Sequence, residues 1–169
     1  MEPEVLEEAK LFIDQNPRAE LRRVTQPDGS TLDWDLSTVP SALRTDISAW
    51  VELLATITGA ARVGLRLICL TSAMCPKFHA DNITLRLVTT YTGPCTELLE
   101  GASLEPQAAE GPGGLPPHST HVTRATPGDI VLLKGHAWPG NDGRGAVHRS
   151  PIATPDNPRL VLTLDALDA

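Results

Sequence analysis

His79-Ala80-Asp81-Asn82-Ile83-Thr84-Leu85-Arg86-Leu87-Val88-Thr89-Thr90-Tyr91, residues 79–91, is the stretch on which the reading of this chain turns. From Ile83 onward every second position, Ile83, Leu85, Leu87, Thr89 and Tyr91, falls in one phase. Successive strand side chains point to opposite faces, so this period marks a β-strand with one apolar face. His79 and Asp81 stand in the same phase. Two residues apart on extended backbone, an imidazole and a carboxylate point the same way and can converge on one ion. The shared phase puts them on the apolar side, where unpaired polar groups are costly and a metal would satisfy both. Arg86 has the opposite parity and is expected to face away from the metal. An HxD pair alone is a common coincidence; its weight comes from the rest of the chain.

Outward from this segment the same period recurs. In Arg62–Leu70, Val63, Leu65, Leu67 and Cys69 share a face. Pro127-Gly128-Asp129 is a turn feeding the apolar run Ile130–Leu133. In Arg159–Leu164, Arg159, Val161 and Thr163 oppose Leu160, Leu162 and Leu164. The first 60 residues read as helical. Val5, Leu6, Ala9, Phe12 and Ile13 form a stripe over Glu4–Gln15, with Pro3 at a first-turn position and Asn16-Pro17 as the stop. Leu43, Ile47, Trp50, Leu54 and Ile57 recur at steps of three and four between Pro40 and Thr58, and Gly59 closes that helix. This helix offers the three leucines of the last strand an apolar partner, which turns Arg159 inward. An inward guanidinium must find an anion, either an internal Asp or Glu or a bound carboxylate. Residues 93–117, rich in Gly, Pro, Glu and Ala, read as a long loop or lid, and 139–158 are also loop-rich.

Helices first, then six to eight short strands, predicts an α+β fold. The strands would close into a small antiparallel barrel or jelly roll with the helices on one outer face. The 169 residues suit a single domain, 1–169, with a helical part over 1–60 and a β-barrel core over 61–169.

The order HxD, a lone His148, and Arg159 eleven residues later at the start of a strand is the second informative pattern. Two imidazoles and a carboxylate make the facial triad that leaves open positions on non-haem iron. Arg159 would hold the far carboxylate of a co-substrate by a charge-assisted pair, or it would pair with an acid at the strand edge; both readings stand on the sequence alone. This order resembles the iron- and 2-oxoglutarate-dependent oxygenases over roughly residues 62–165. The resemblance implies a double-stranded β-helix (cupin-like) fold, Fe(II) held by His79, Asp81 and His148, and 2-oxoglutarate anchored by Arg159. The Ser or Thr usual two residues after that Arg is Val161 here, and the chain is short for the family. More closely, CPKFHADNITLRLVTTYTGPCTE, GDIVLLKG, HRSP and RLVLTLD resemble a bacterial family described only as a conserved domain of unknown function. That resemblance implies genes encoded near zinc homeostasis, so zinc or copper stand as alternatives to iron. The function expected is a mononuclear non-haem metal oxygenase-type enzyme acting on a small molecule. The alternative is a non-catalytic metal-binding protein of metal homeostasis on the same scaffold.

Other residues carry weaker signals. Cys75, four residues before His79, is either a thiolate ligand, which would favour zinc or copper, or a small buried core residue; the second is expected. Three cysteines without a CxxC are not a disulfide framework. His118 and His121 lie in a Pro-rich stretch and are expected to be exposed. His136 is expected at the cavity mouth, and Trp34, Trp50 and Trp138 in packing roles. The formal charge is −7 with no basic run longer than Arg22-Arg23, a poor match to a phosphate backbone, so no nucleic-acid partner is expected. The acidic N-terminus is unlike a signal peptide, and no apolar stretch reaches the ~18 residues of a membrane span, so a cytoplasmic protein is expected. Association as a homodimer is left open.

Overall fold

A computed structural model describes residues 1–27, 37–99 and 121–167. The elements are α1 (Pro3–Gln15), β1 (Glu20–Thr25), α2 (Ser41–Thr58), β2 (Arg62–Leu70), β3 (Leu85–Thr92), β4 (Glu97–Leu99), β5 (Val122–Arg124), β6 (Ile130–Lys134), β7 (His148–Arg149) and β8 (Arg159–Leu167). Their strands form two antiparallel sheets, one of order β1-β2-β8-β3-β6 and one of order β5-β4-β7. This is the jelly roll expected from the alternation.

Both helices lie on one face of the larger sheet. Leu160, Leu162 and Leu164 of β8, Val63, Leu65 and Leu67 of β2, and Leu85 and Leu87 of β3 join Phe12, Leu43, Ile47 and Leu54 in one core. Each such fully buried side chain contributes about 1.5–3 kcal/mol. The helices are fastened by specific polar contacts as well. The α2 N-cap is Pro40, which offers no capping side chain, and Glu8 of α1 takes that role by accepting the Leu43 N–H at 3.0 Å. The buried Tyr91 hydroxyl of β3 donates to Asp46 on α2 at 2.9 Å. Gly59, in the left-handed region at φ 70°, closes α2 as its sequence position implies.

The opposite face of the large sheet looks into the jelly roll. It carries Arg159, Val161 and Thr163 of β8, so the inward phase expected for β8 is the one observed. Three details differ from expectation. β1 lies within the stretch read as helical: Glu20-Leu21-Arg22-Arg23-Val24-Thr25 has only a weak apolar alternation, and pairing with β2 makes it a strand. β4 falls at the start of the segment read as a loop; the remainder of that segment, 100–117, lies outside the described residues, as do Trp34 and His118. The third concerns the phase of residues 79–86.

Candidate metal centre

His79-Ala80-Asp81 is not part of an extended strand continuous with β3. Residues 82–84 bend, and β3 begins only at Leu85. Parity therefore does not carry from Asp81 into the strand. The apolar phase, Leu85, Leu87 and Tyr91, faces the helices, and the other phase, Arg86 and Val88, faces the cavity. Arg86, expected to point away from the metal, instead donates from Nη1 to Asp81 Oδ2 at 2.6 Å. Its other edge grips Asp165 on β8 through Nε at 2.6 Å and Nη2 at 2.9 Å.

What aligns the two histidines is an isolated antiparallel bridge. His79 N–H donates to the His148 carbonyl and His148 N–H to the His79 carbonyl, both at 2.9 Å. Directly opposed residues put their side chains on one face, and here the ring centroids are 4.5 Å apart. Asp81 is held in place by backbone contacts, its carbonyl accepting the His136 N–H at 2.9 Å. Gly135 makes that approach feasible, because a Cβ there would sit 2.0 Å from the Ile83 carbonyl oxygen and 2.9 Å from that of Asp81.

His79 Nε2 lies 3.5 Å from Asp81 Oδ1, and His148 Nε2 lies 3.5 Å from Asp81 Oδ2. The three ligand atoms all fall within 4.8 Å of one another. Each ring's other nitrogen, Nδ1, meets a backbone carbonyl: Lys77 at 2.9 Å for His79 and Ala146 at 3.0 Å for His148. A carbonyl only accepts, so Nδ1 carries the proton and a neutral ring presents its Nε2 lone pair to the carboxylate. Lone pairs facing carboxylate oxygens repel unless a proton on Nε2 or a metal cation lies between them. Each imidazole–carboxylate spacing suits a metal cation, since ligands at ~2.0–2.2 Å from a first-row ion stand roughly 3.0–3.5 Å apart between right-angle and tetrahedral arrangements, and the three donor atoms as a set lie within 4.8 Å. The donor set therefore fits a divalent metal with two imidazoles and one carboxylate. Contact with His79, together with the Arg86 charge, holds the Asp81 carboxyl below its usual range. The same contact pushes His79 up, whereas burial pushes His148 down towards the neutral form that ligation needs.

Arg159 is 2% exposed and lines the same cavity. Its guanidinium donates to three hydroxyls: Thr90 Oγ1 from Nε at 3.2 Å and from Nη2 at 3.0 Å, Ser150 Oγ at 3.0 Å and Thr96 Oγ1 at 2.7 Å. Among the described residues no carboxylate pairs with it. Burial pushes its pKa down to about 10, so it remains a cation at neutral pH. Gly93, at φ 84°, lets the chain pass Pro158 just before Arg159; a Cβ there would lie 2.1 Å from the Pro158 oxygen. The cavity also takes in Met74, Cys75 and Val161 and measures about 40 Å³, room for roughly three waters.

Cys75 is exposed, not a core residue, because it sits in the turn-rich segment after β2 and not on a strand. It lines the cavity but stands outside the three-residue cluster. The His136 ring is not in the cavity wall: its Nδ1 accepts the Gly145 N–H at 3.2 Å. His121 is exposed, and Trp50 and Trp138 pack against the core. Sequence reasoning missed Arg86 and the hydroxyl cradle of Arg159. The HRSP segment held part of the signal. His148 joins the cluster, Arg149 bonds Glu97 and stacks over Phe78, and Ser150 bonds Arg159.

Residues 7–165 match the family described as "Protein of unknown function (DUF1826)". No curated protein is significantly similar in sequence. Among solved structures, the chain is similar to a dioxygenase for auxin oxidation (DAO) in rice, with 15% identity and a TM-score of 0.51 over 99% of this chain and 70% of that one. It is also similar to JOX2, solved in complex with 2OG, Fe and JA, with 14% identity and a TM-score of 0.52 over 98% of this chain and 64% of that one. DMSP lyase DddQ from Ruegeria pomeroyi DSS-3 matches at 18% identity and a TM-score of 0.36, over 63% of this chain and 39% of that one. At these identities the likeness is one of fold. No helix among the described residues is long and apolar enough to cross a membrane.

Proposed function

The chain belongs to the DUF1826 family, and for this member we propose a mononuclear metalloenzyme of the jelly-roll type, an iron-dependent oxygenase that takes a carboxylate co-substrate, 2-oxoglutarate, and acts on a small molecule. His79, Asp81 and His148 would hold the ion. Bound Fe(II) would supply the redox chemistry, with the protein leaving coordination positions open for oxygen and co-substrate. The observation that carries the reading is Arg159. A guanidinium buried to 2% exposure, hydrogen-bonded only to hydroxyls among the described residues, and facing the cavity of the three-residue cluster is a receptor for a carboxylate. Thr90, Thr96 and Ser150 orient the fork without neutralising it, and so leave the charge for a ligand. They also supply the hydroxyls that Val161 does not. The narrow interior suits the end of a slim dicarboxylate, with its remainder towards the exposed mouth at Met74 and Cys75. Arg86 fixes the Asp81 carboxylate.

Cys75 favours a second reading: a soft donor beside the cluster suits zinc, in a metal-binding protein without turnover. Elemental analysis of anaerobically purified protein, followed by calorimetry with 2-oxoglutarate, separates the two. The enzyme reading expects one iron per chain and 2-oxoglutarate binding that weakens at least tenfold in Arg159→Ala at unchanged metal content. No binding to the iron-loaded parent, or the same binding in the variant, defeats it. Loss of metal in Cys75→Ala alone would favour zinc.

A further inference from the structure

The cavity of the metal cluster is too tight for a second molecule of any size, but it adjoins a wider one. Met74, Arg86 and Thr163 line both, and the second cavity measures about 290 Å³, the lower end of the range for small-molecule pockets. Its floor is the inward face of the large sheet at the β1–β2 flank. Pairing register sets two rows across this floor: Arg22, Arg66, Thr163 and Val88 in one, and Val24, Gly64, Asp165 and Arg86 in the other. None of its lining residues comes from β4, β5 or β7, so the small sheet does not wall it.

In a chain of formal charge −7, this groove is lined by Arg22, Arg66 and Arg86 and by one carboxylate, Asp165, while Arg23 at its edge is in register with Leu65, on the helix-facing phase. Asp165 is committed to Arg86. Arg22 and Arg66 share a single carboxylate oxygen, Glu20 Oε1, at 2.6 Å and 3.0 Å. The Glu20 side chain is 39% exposed, and one charge there answers two guanidiniums. Gly64 keeps the floor low; a Cβ there would meet nothing closer than 3.6 Å, so the space above it is real and free of strain.

We propose that this groove is the substrate subsite of the metal centre and that it takes a small molecule bearing an oxyanion, a carboxylate or phosphate ester, docked on Arg22 and Arg66. The proposal rests on the enzyme reading above and specifies its substrate class. Adjacent strands lie ~4.8 Å apart, so Arg66 stands about 10 Å from Val88 in the wall of the metal cavity, and Arg22 about 14 Å. The anion therefore lies at one end of the substrate and the reacting group at the other, past Met74. Glu20 already occupies the anion position as an intramolecular stand-in, and its exposure leaves it displaceable.

The test uses inorganic phosphate as the probe on the full, metal-free chain, following arginine Nε–Hε signals by NMR at low ionic strength. Saturable shifts of the Arg22 and Arg66 signals are expected, with the dissociation constant raised at least tenfold in Arg22→Gln and in Arg66→Gln. Gly64→Val, which keeps every charge and fills the floor, should weaken binding to a similar extent with an unchanged thermal midpoint. Shifts that do not saturate, that spread equally over remote arginines such as Arg18 and Arg44, or that persist in all three variants would overturn the proposal. Metal content and Arg159-dependent 2-oxoglutarate binding, measured on the same variants, should stay at parental values. Failure of the groove and failure of the enzyme reading therefore register in separate measurements.

Discussion

Arg86 positions the Asp81 carboxylate of the candidate cluster without belonging to the cluster itself. One guanidinium joins Asp81 to Asp165, and so ties a candidate ligand on a bent segment to strand β8. Groups that orient ligands typically account for about 10–100-fold in metal affinity. Arg86→Ala should lower metal affinity by that factor in chelator competition, while its far-UV spectrum matches the parent. Unchanged affinity would mean that the backbone alone positions Asp81. The sequence pointed to all three members of the cluster, His79 and Asp81 by their local HxD spacing and His148 by its place in the order HxD, His, Arg along the chain. It misplaced Arg86, because parity was extended through Asn82-Ile83-Thr84, which bend.

Among the elements, the small sheet depends on a charge network. β4 is its central strand, and Glu97 on β4 is paired in register with Arg124 on β5 and Arg149 on β7. Its carboxylate, 6% exposed, accepts from Arg124 at 2.7 Å and from Arg149 at 2.5 Å. Burial pushes the Glu97 pKa up, but the two guanidiniums outweigh this and hold it below the usual range. A carboxyl depressed in the folded state contributes stability that is full above its unfolded value of ~4.3 and fades as pH falls through the folded value. Glu97→Gln should cost about 1.5–3 kcal/mol at pH 7 by urea unfolding, with the gap to the parent closing below pH ~4. A gap independent of pH would remove the charge argument. Because His148 is the neighbour of Arg149 on β7, the same variant should also weaken metal binding. None of this was legible in the sequence, where β4 lies in a stretch that reads as loop and Glu97 is one of 21 acids.

For the whole molecule, β8 divides two functions between its faces. Leu160, Leu162 and Leu164 hold the helices, and Arg159, Val161 and Thr163 line the cavity. The faces should be separable by mutation. Leu162→Ala, at a fully buried position, should cost about 2–5 kcal/mol of stability and leave metal stoichiometry and 2-oxoglutarate binding at parental values. Loss of metal in that variant, measured well below its unfolding midpoint, would show that core and centre are mechanically coupled.

The two amphipathic helices, the alternation of β2, β3 and β8, the apolar run of β6, the inward phase of Arg159 and the candidacy of His79, Asp81 and His148 were legible in the sequence alone. The elements rest on periods spanning only a few residues, and such patterns persist whatever the rest of the chain does, whereas His148 and the phase of Arg159 were read from the order of motifs along the chain. Other features were decided only in three dimensions. β1 is a strand because β2 offers it a partner. Arg86 faces the cluster because the chain bends before β3. Arg159 is cradled by hydroxyls from Thr90, Thr96 and Ser150, up to 69 positions away. The physical reason is the same in each case: pairing and hydrogen bonding between segments far apart in sequence leave no local period, so only the folded chain shows which of many polar residues meet.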